Sequence, residues 1–439
     1  MKVVISAGGK GTRISSIASD IPKPMIEIDG MPVLEHEINC LKEQGFTDII
    51  ITVSHLGEII MNYFGDGSKI SPITGKPFGV NIEYFYERVP LGNAGALFQM
   101  KDKLTEDFLL LNADAIFDVD FNRFVNYHKE QGGLITLFTH PNSHPYDSGL
   151  IISDENNRVN KWLTKEDDRP IYYKNRVNAG LHVISPLVLS QDITSEKIDL
   201  DRQVIKPLVS SGKVVVYDSP EYVKDMGTPD RYYSVVNDYQ DGIVQAKNLK
   251  NKQKAIFLDR DGTINKYVGF LRNIDDFELI DGVSEAIKKI NEAGYLAVVI
   301  TNQPVIARGE VSYSELDMIH NKMETLLGKY GCYVDAIYYC PHHPDKGFDG
   351  EVPELKFDCE CRKPKPGMIF EAASDYNIDL EKSWMIGDSR SDILAGMNAG
   401  CRTVLVNNNE DYGQTLTEDN LFNAICTIIE NDKVKKKTR

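Results

Sequence analysis

Two groups of residues have the types and spacing that phosphate chemistry needs. One lies near the start of the chain and the other past its middle. In the first, Gly8-Gly9-Lys10-Gly11-Thr12-Arg13 follows a short apolar run. Glycines in such a turn let backbone N–H groups approach phosphate oxygens with no Cβ in the way. Arg13, and Lys23 between Pro22 and Pro24, supply two cations where a triphosphate would lie. Reaction at an α-phosphorus needs its growing charge neutralised. Leu91-Gly92-Asn93-Ala94-Gly95-Ala96 offers small residues against which a flat base could pack. Gly8, Gly9, Gly11, Thr12, Gly92, Asn93 and Gly95 are therefore the expected nucleotide contacts. Asp114 follows the apolar run ending Leu110-Leu111-Asn112-Ala113, at the carboxyl end of an expected strand, where open α/β sheets place ligands. Asp225, ahead of Gly227-Thr228-Pro229, could supply a second carboxylate to Mg²⁺ beside substrate phosphates. A glycine turn alone is an ordinary strand–helix connection, and a lone aspartate a turn former. The set points to nucleotidyl transfer.

The second group opens with Asp259-Arg260-Asp261-Gly262-Thr263, directly after Ala255-Ile256-Phe257-Leu258. Two carboxylates two residues apart at a strand end can divide covalent catalysis. The first attacks phosphorus; the second protonates the leaving oxygen and later activates water. A plain Asx turn is the competing reading. Three elements that follow in order weigh against it. Thr301 ends a second apolar run, Lys363 can neutralise an aspartyl-phosphate, and Asp388, with Asp392 nearby, can complete a Mg²⁺ site. Between them, Cys340-Pro341-His342 and Cys359-Glu360-Cys361 offer one histidine and three cysteines to a tetrahedral zinc, with His343 an adjacent alternative ligand. Buried free thiols are the other reading. Four protein ligands leave no open position, so zinc is expected to shape the substrate loop rather than perform chemistry.

These residues need two scaffolds. Apolar strand-like runs at 2–6, 48–53, 81–86, 108–111 and 133–138 precede helical patterns, and the same alternation restarts at 254–258, 296–301, 336–339, 383–386 and 403–406. Each series predicts an α/β domain with a parallel-rich sheet covered by helices. We therefore expect domains over 1–240 and 254–432, the polar linker 241–253 between them, and a solvated basic tail, 433–439. The linker's composition leads us to expect independent active sites.

A chain of 439 residues exceeds what one core usually serves, and 42% apolar content supports globular folding. Asp plus Glu number 65 against 49 Lys plus Arg, a formal charge of -16, which argues against broad binding of nucleic acid and leaves small phosphorylated ligands compatible. The opening run is too short for a secretory signal, no apolar stretch could cross a bilayer, and the seven cysteines do not read as a disulfide framework. A reducing cytoplasm is the expected setting, with no membrane partner; a homo-oligomer is compatible with the sequence.

Taken together, the first group resembles the sugar-1-phosphate nucleotidyltransferases over residues 1–239, in Gly-Gly-x-Gly-Thr-Arg, Pro-Lys-Pro, Leu-Gly-x-Ala-Gly, the strand-end Asp114, Asn178-Ala179-Gly180 and Asp225 before Gly-Thr-Pro. The resemblance implies a Rossmann-like, glycosyltransferase-A-like mixed sheet. It also implies in-line attack of a sugar phosphate on a nucleoside triphosphate. Arg13 and Lys23 would stabilise phosphate charge, Asp114 and Asp225 hold Mg²⁺, and Asn178 and Gly180 contact the sugar. Lys165, in Thr164-Lys165-Glu166, is the nearest match to the family's Glu-Lys-Pro and the expected sugar-phosphate contact. Asn93 stands where threonine is common.

The second group resembles the haloacid dehalogenase-like phosphatases over residues 254–406. With its cysteine pairs, Ile306-Ala307-Arg308-Gly309 and Cys361-Arg362-Lys363-Pro364, it looks like the heptose bisphosphate phosphatases, with the histidinol-phosphate phosphatases as relatives. This implies Mg²⁺ at Asp259, Asp261 and Asp388, and zinc at Cys340, His342, Cys359 and Cys361. Asn302, Arg308 and Arg362 are the implied substrate contacts, the two arginines on the retained phosphate. Pro304-Val305 and Ser389 depart from the family pattern, and the loop 345–358 is long. Joined, the halves imply removal of the C7 phosphate from a heptose 1,7-bisphosphate and transfer of GMP from GTP to the 1-phosphate. The alternatives are a mannose- or glucose-1-phosphate nucleotidyltransferase fused to another phosphatase, or one half acting as a ligand-binding regulator.

Overall fold

Alternation of buried residues along Val3–Ser6 sets the first sheet: Val3 and Ile5 enter one core, with Leu34, Ile38 and Phe64, while Val4 enters the core on the opposite face, with Leu97 and Leu110. A strand buried on both faces belongs at the centre of a helix-covered sheet. Val3–Ser6 pairs in parallel with Asp48–Val53 and with Phe108–Asn112, so that Ser6 lies opposite both Thr52 and Asn112. Asn81–Tyr86 extends the sheet in parallel on one side. On the other, Val177–Ile184 runs antiparallel to Phe108–Asn112, followed by Leu150–Ser153 and Val159–Leu163 in a 9-stranded mixed sheet. A separate two-stranded ribbon pairs Tyr222–Asp225 with Ala115–Asp118.

The second sheet has 6 strands, all parallel, in the order Ala336–Cys340, Leu296–Asn302, Ala255–Leu258, Trp384–Gly387, Arg402–Val406, Leu416–Glu418. Chain order reverses on either side of Ala255–Leu258, and such switch points form ligand crevices at the strands' carboxyl ends. Helices Val283–Glu292 and Leu421–Lys437 cover one face, Gly367–Asp375 and Arg390–Asn398 the other.

The computed structural model describes residues 1–9, 17, 20–164, 166–193 and 195–437; Gly11, Thr12, Arg13 and Lys165 lie outside them. Two units emerge. The first comprises Met1–His140, Gly149–Thr164 and Asn178–Asn248, the second Pro141–Ser148, Lys165–Val177 and Leu249–Arg439. Two short segments from the first half of the sequence thus belong to the second unit. The stretch 241–253 contains the short helix Ile243–Ala246 and buries Val244, Lys247, Asn248, Leu249 and Gln253. No helix among the described residues is long and apolar enough to cross a membrane.

Candidate active sites

In the first unit, the carboxyl ends of the parallel strands open onto a cleft of about 750 Å³. Ser6, Gly8, Gly9, Lys23, Gly92, Asn93 and Asp114 are among its lining residues. Gly92 has φ +78, and a Cβ there would sit 2.3 Å from the Ile198 carbonyl oxygen, so only glycine lets this loop pass. Asn93 accepts a 2.7 Å hydrogen bond from the Leu200 N–H, which ties the loop to the segment 198–205. Gly95 packs against Leu91 and is buried.

Asp114 and Asp225 are joined by the ribbon: Asp225 lies opposite Ala115, and the Met226 N–H donates to the Asp114 carbonyl at 3.2 Å. Each carboxylate holds a cation. Lys23 Nζ is 2.7 Å from Asp114 Oδ2, and Arg231, at the first turn of helix Pro229–Gln240, reaches Asp225 at 2.8 and 3.1 Å. Desolvation works against the Asp225 charge, but Arg231 and the Gly227 N–H more than offset it and hold the carboxyl below its ordinary range. Asn178 accepts the Gly180 N–H at 3.1 Å. Gly180 (φ +78) lies against Asn112, which lines the cleft, although Asn178 and Gly180 are not among its described lining residues.

In the second unit, a cleft of about 340 Å³ is lined by Asp259, Asp261, Thr301, Asn302, Arg362, Lys363, Asp388 and Asp392, among others. Lys363 Nζ sits 2.6 Å from Asp259 Oδ1, 2.6 Å from Asp392 Oδ1 and 2.7 Å from the Ile300 carbonyl, so each of its three N–H groups has an acceptor within reach. Burial alone would lower its affinity for the proton; the two carboxylates more than reverse this. Burial, then the Asp392 charge, push the Asp259 carboxyl upward, with Lys363 opposing, and the same two causes push Asp388 up to about 6. Asp259, Asp388 and Asp392 have carboxylate oxygens all within 4.8 Å of one another. This is the donor set a hard divalent cation requires. Gly262 (φ +89) passes so close to Asp388 that a Cβ would lie 2.0 Å from its Oδ2.

Asp261 is not part of that carboxylate cluster. Its carboxylate accepts from Arg260 at 2.8, 3.0 and 3.2 Å, from Asn265 at 3.0 Å and from Gln303 at 2.9 Å. Gln303 also donates to Thr301 Oγ1 at 2.9 Å, linking the two. Asn302 exchanges hydrogen bonds with the backbone of Lys363, at 3.0 and 3.1 Å. Arg308 is buried, its guanidinium 4.0 Å from the Phe270 ring and 4.4 Å from the Phe348 ring, and it is not among the cleft's described lining residues. Arg362 does line it.

The cysteine pairs converge. Cys340, His342, Cys359 and Cys361 have ligand atoms all within 4.8 Å, with sulfur–sulfur separations of 3.2 to 3.4 Å and His342 Nδ1 3.2 Å from Cys361 Sγ. Tetrahedral ligands about 2.3 Å from a zinc ion stand roughly 3.7 Å apart, so the cage is close to the required size. His343 points elsewhere, its Nε2 3.4 Å from Arg308.

Residues 2–242, more than half of the chain, match the nucleotidyl transferase family model. The chain belongs to the nucleotidyl transferase family. Its second half matches the HAD-hydrolase-like model over residues 360–424. That half is 46% identical over 169 residues to the D-glycero-beta-D-manno-heptose-1,7-bisphosphate 7-phosphatase of Pasteurella multocida, covering 38% of this chain and 86% of that protein. It is 42% identical over 179 residues to the corresponding alpha-heptose phosphatase of Photorhabdus laumondii, covering 40% and 96%. This half belongs to their phosphatase family. Among solved structures, HddC from Yersinia pseudotuberculosis is 24% identical with a TM-score of 0.46, covering 54% of this chain and 99% of that one. The protein is therefore an enzyme uniting a nucleotidyl transferase and a phosphatase.

Several residues of these sites escaped the motif reading. In the nucleotidyl transferase unit, Ser54, His55 and Glu87 line the cleft; each follows a parallel strand at its carboxyl end, a position that sequence could have flagged. Burial pushes the Glu87 carboxyl up. Arg231 carried no such signal, because it reaches Asp225 only from one helical turn further on. In the phosphatase unit, Gln303 and Arg260 sit inside recognised motifs, but their grip on Asp261 comes from the fold.

Proposed function

We propose that this enzyme makes a nucleotide-activated heptose in two steps. The phosphatase unit removes the C7 phosphate of D-glycero-D-manno-heptose 1,7-bisphosphate, and the nucleotidyl transferase unit couples the remaining 1-phosphate to GMP from GTP. The observation that carries this reading is the 46% identity, over 86% of its length, to a heptose bisphosphate 7-phosphatase, in a half whose Asp259, Lys363 and Asp388 converge at one strand-end cleft. The product of that hydrolysis is the acceptor class the other half consumes. Guanine is chosen on the pathway resemblance.

In the phosphatase reaction Asp259 attacks phosphorus, forming an Asp–O–P bond as the P–O bond to C7 breaks. Asp261 delivers its proton to the leaving oxygen, then takes one from the water that releases phosphate. Arg260, Asn265 and Gln303 hold Asp261 until it turns to the substrate. Lys363 neutralises charge at the aspartyl-phosphate; Thr301 and Asn302 border the phosphoryl site; Arg362 binds the retained 1-phosphate, and stacked Arg308 shapes the loop beside it. Asp259 and Asp388, with Asp392, would hold Mg²⁺, and we assign Asp261 to proton transfer. In the other unit an oxygen of the sugar 1-phosphate attacks the α-phosphorus and pyrophosphate leaves. Lys23, with Arg13, offsets the developing charge; Asp114 and Asp225 would hold Mg²⁺; Asn178, Gly180 and Lys165 serve the sugar phosphate. Bound Mg²⁺ supplies charge neutralisation of phosphate oxygens in both units. We place both reactions in the cytoplasm.

The cysteine cage would hold a structural zinc between the strand Ala336–Cys340 and the loop carrying Arg362 and Lys363. Cys359→Ser is expected to abolish stoichiometric zinc in elemental analysis. The melting temperature of the phosphatase unit should fall by roughly 6–12 °C, as loss of about 3 kcal/mol would produce in a domain of this size. An unchanged calorimetric transition would remove zinc from the account.

The decisive test is a phosphorus NMR time course of the whole enzyme with heptose 1,7-bisphosphate, Mg²⁺ and each common nucleoside triphosphate in turn. Heptose 1-phosphate should accumulate first, and a diphosphate-linked product should follow only with GTP. Product with another triphosphate would replace the base; release of phosphate with no nucleotide-sugar would replace the sugar.

A further inference from the structure

Two departures from the family pattern, Pro304-Val305 and the long loop 345–358, meet within the second unit. Leu355 of the loop packs against the buried cluster of Val305, Ile306, Val311 and Leu316. The Val352 N–H donates to the Ala307 carbonyl at 3.0 Å. Gly309 has φ +69, and a Cβ there would lie 1.8 Å from the Gly350 carbonyl oxygen, so glycine is what lets the loop press this closely. The segment between the cage residues His342 and Cys359 is thus folded back onto the turn that carries Arg308. That arginine is buried, with its guanidinium 4.0 Å from the Phe270 ring and 4.4 Å from the ring of Phe348, in the loop. Its Nε has no hydrogen-bond partner among the described residues, and its Nη2 lies 3.4 Å from His343 Nε2. Contact with the two ring faces is therefore the main hold on the cation. Phe348 is itself fixed. Glu351 accepts the N–H of Gly347 at 2.9 Å and of Phe348 at 3.0 Å, and the Lys356 ammonium lies 3.4 Å from Glu351 and 4.5 Å from the Phe348 ring.

Phe270 lines the phosphatase cleft beside Tyr267, Pro304 and Val305, whereas Arg308 and Phe348 are not among its described lining residues. Phe270 is 42% exposed, so its own surroundings in the cleft do not lock it. A side chain that meets substrate holds its geometry when packing behind it fixes its rotamer. Here that packing is the stack of Arg308 on Phe348. We infer that Phe348 is a positioning residue for the phosphatase reaction: acting through Arg308, it holds Phe270 as a fixed wall against which the sugar of a bisphosphate substrate is seated. This rests on the reading of the cleft as a sugar-bisphosphate site. It makes the long loop a determinant of how well the sugar is held, and leaves the chemistry at phosphorus to Asp259 and its neighbours.

The test uses the full chain carrying Phe348→Leu, Phe348→Tyr, Arg308→Met, or Phe348→Leu and Arg308→Met together. Phosphate release is measured from heptose 1,7-bisphosphate and from para-nitrophenyl phosphate, which has neither the sugar nor a second phosphate. Leucine keeps most of the bulk but offers no ring face, and tyrosine keeps the face. We expect Phe348→Leu to raise KM for the bisphosphate at least about tenfold with kcat within about threefold, since small misplacements of a binding group are costly. Phe348→Tyr should restore KM to within about twofold of the unaltered enzyme, and kcat/KM for para-nitrophenyl phosphate should stay within about twofold in every variant. Arg308→Met should raise KM at least as far, and adding Phe348→Leu to it should change KM by no more than about twofold, because residues acting in series are not additive. An unaltered KM in Phe348→Leu, full additivity in the double variant, or equal losses on both substrates would overturn the inference. Failure of the unaltered enzyme to hydrolyse the bisphosphate would instead overturn the proposed substrate.

Discussion

Replacing Asp259 with asparagine is expected to lower phosphate release from heptose 1,7-bisphosphate by at least about a thousandfold, since loss of a nucleophile removes the covalent route itself. Asparagine keeps the shape of the side chain and, through its carbonyl, an acceptor for Lys363. The lysine stays 2.6 Å from Asp392 and 2.7 Å from the Ile300 carbonyl, so it is not left as an unpaired buried charge. The substitution also relieves the crowding of Asp259, Asp388 and Asp392. Folding should therefore survive, and nucleotidyl transfer to added heptose 1-phosphate should stay within about twofold of the unaltered enzyme, since Asp259 lines the phosphatase cleft and not the other one. Phosphorus NMR reads both reactions in one sample. Substantial turnover of the bisphosphate by Asp259→Asn would mean that the attacking group has been misassigned.

The converse substitution is Asp225→Asn. It should reduce pyrophosphate release by about a hundred- to a thousandfold, because electrostatic stabilisation of transferring phosphoryl groups is among the largest contributions to such reactions. Its effect should fall on kcat, with phosphate release unaltered. Arg231 would lose a partner but is 25% exposed, so water can replace it and little stability should be lost. Asp114→Asn should match it in activity and exceed it in cost to the fold, because Lys23, 9% exposed, would lose the charged partner 2.7 Å from its Nζ. Normal exchange of labelled pyrophosphate into nucleotide by Asp225→Asn would remove that residue from the site.

Sequence by itself determined the chemistry and the class of scaffold. Strand-forming runs ending in Asp114, Asp259, Thr301 and Asp388 lie at the carboxyl ends of parallel strands, because a buried apolar run followed by a polar residue is a local pattern. The need for glycine at 92 and 262 was not local: the close approaches are to the Ile198 carbonyl and the Asp388 carboxylate, neighbours that only the folded chain supplies. Pairings between distant segments were not legible. The ribbon that sets Asp225 opposite Ala115 joins segments whose affinity is backbone hydrogen bonding, which side-chain pattern does not encode. The withdrawal of Asp261 toward Arg260 and Gln303 depends on charges that meet only after the sheet forms. The same holds for the assignment of 141–148 and 165–177 to the second unit. Nothing in the sequence marked Asn175, Arg176 and Glu324, yet all three are buried, with the Asn175 N–H and the Arg176 guanidinium donating to the Glu324 carboxylate. Residue types and local spacing thus pointed to the two classes of activity; tertiary packing decided which carboxylates meet which basic side chains and which segments each unit holds.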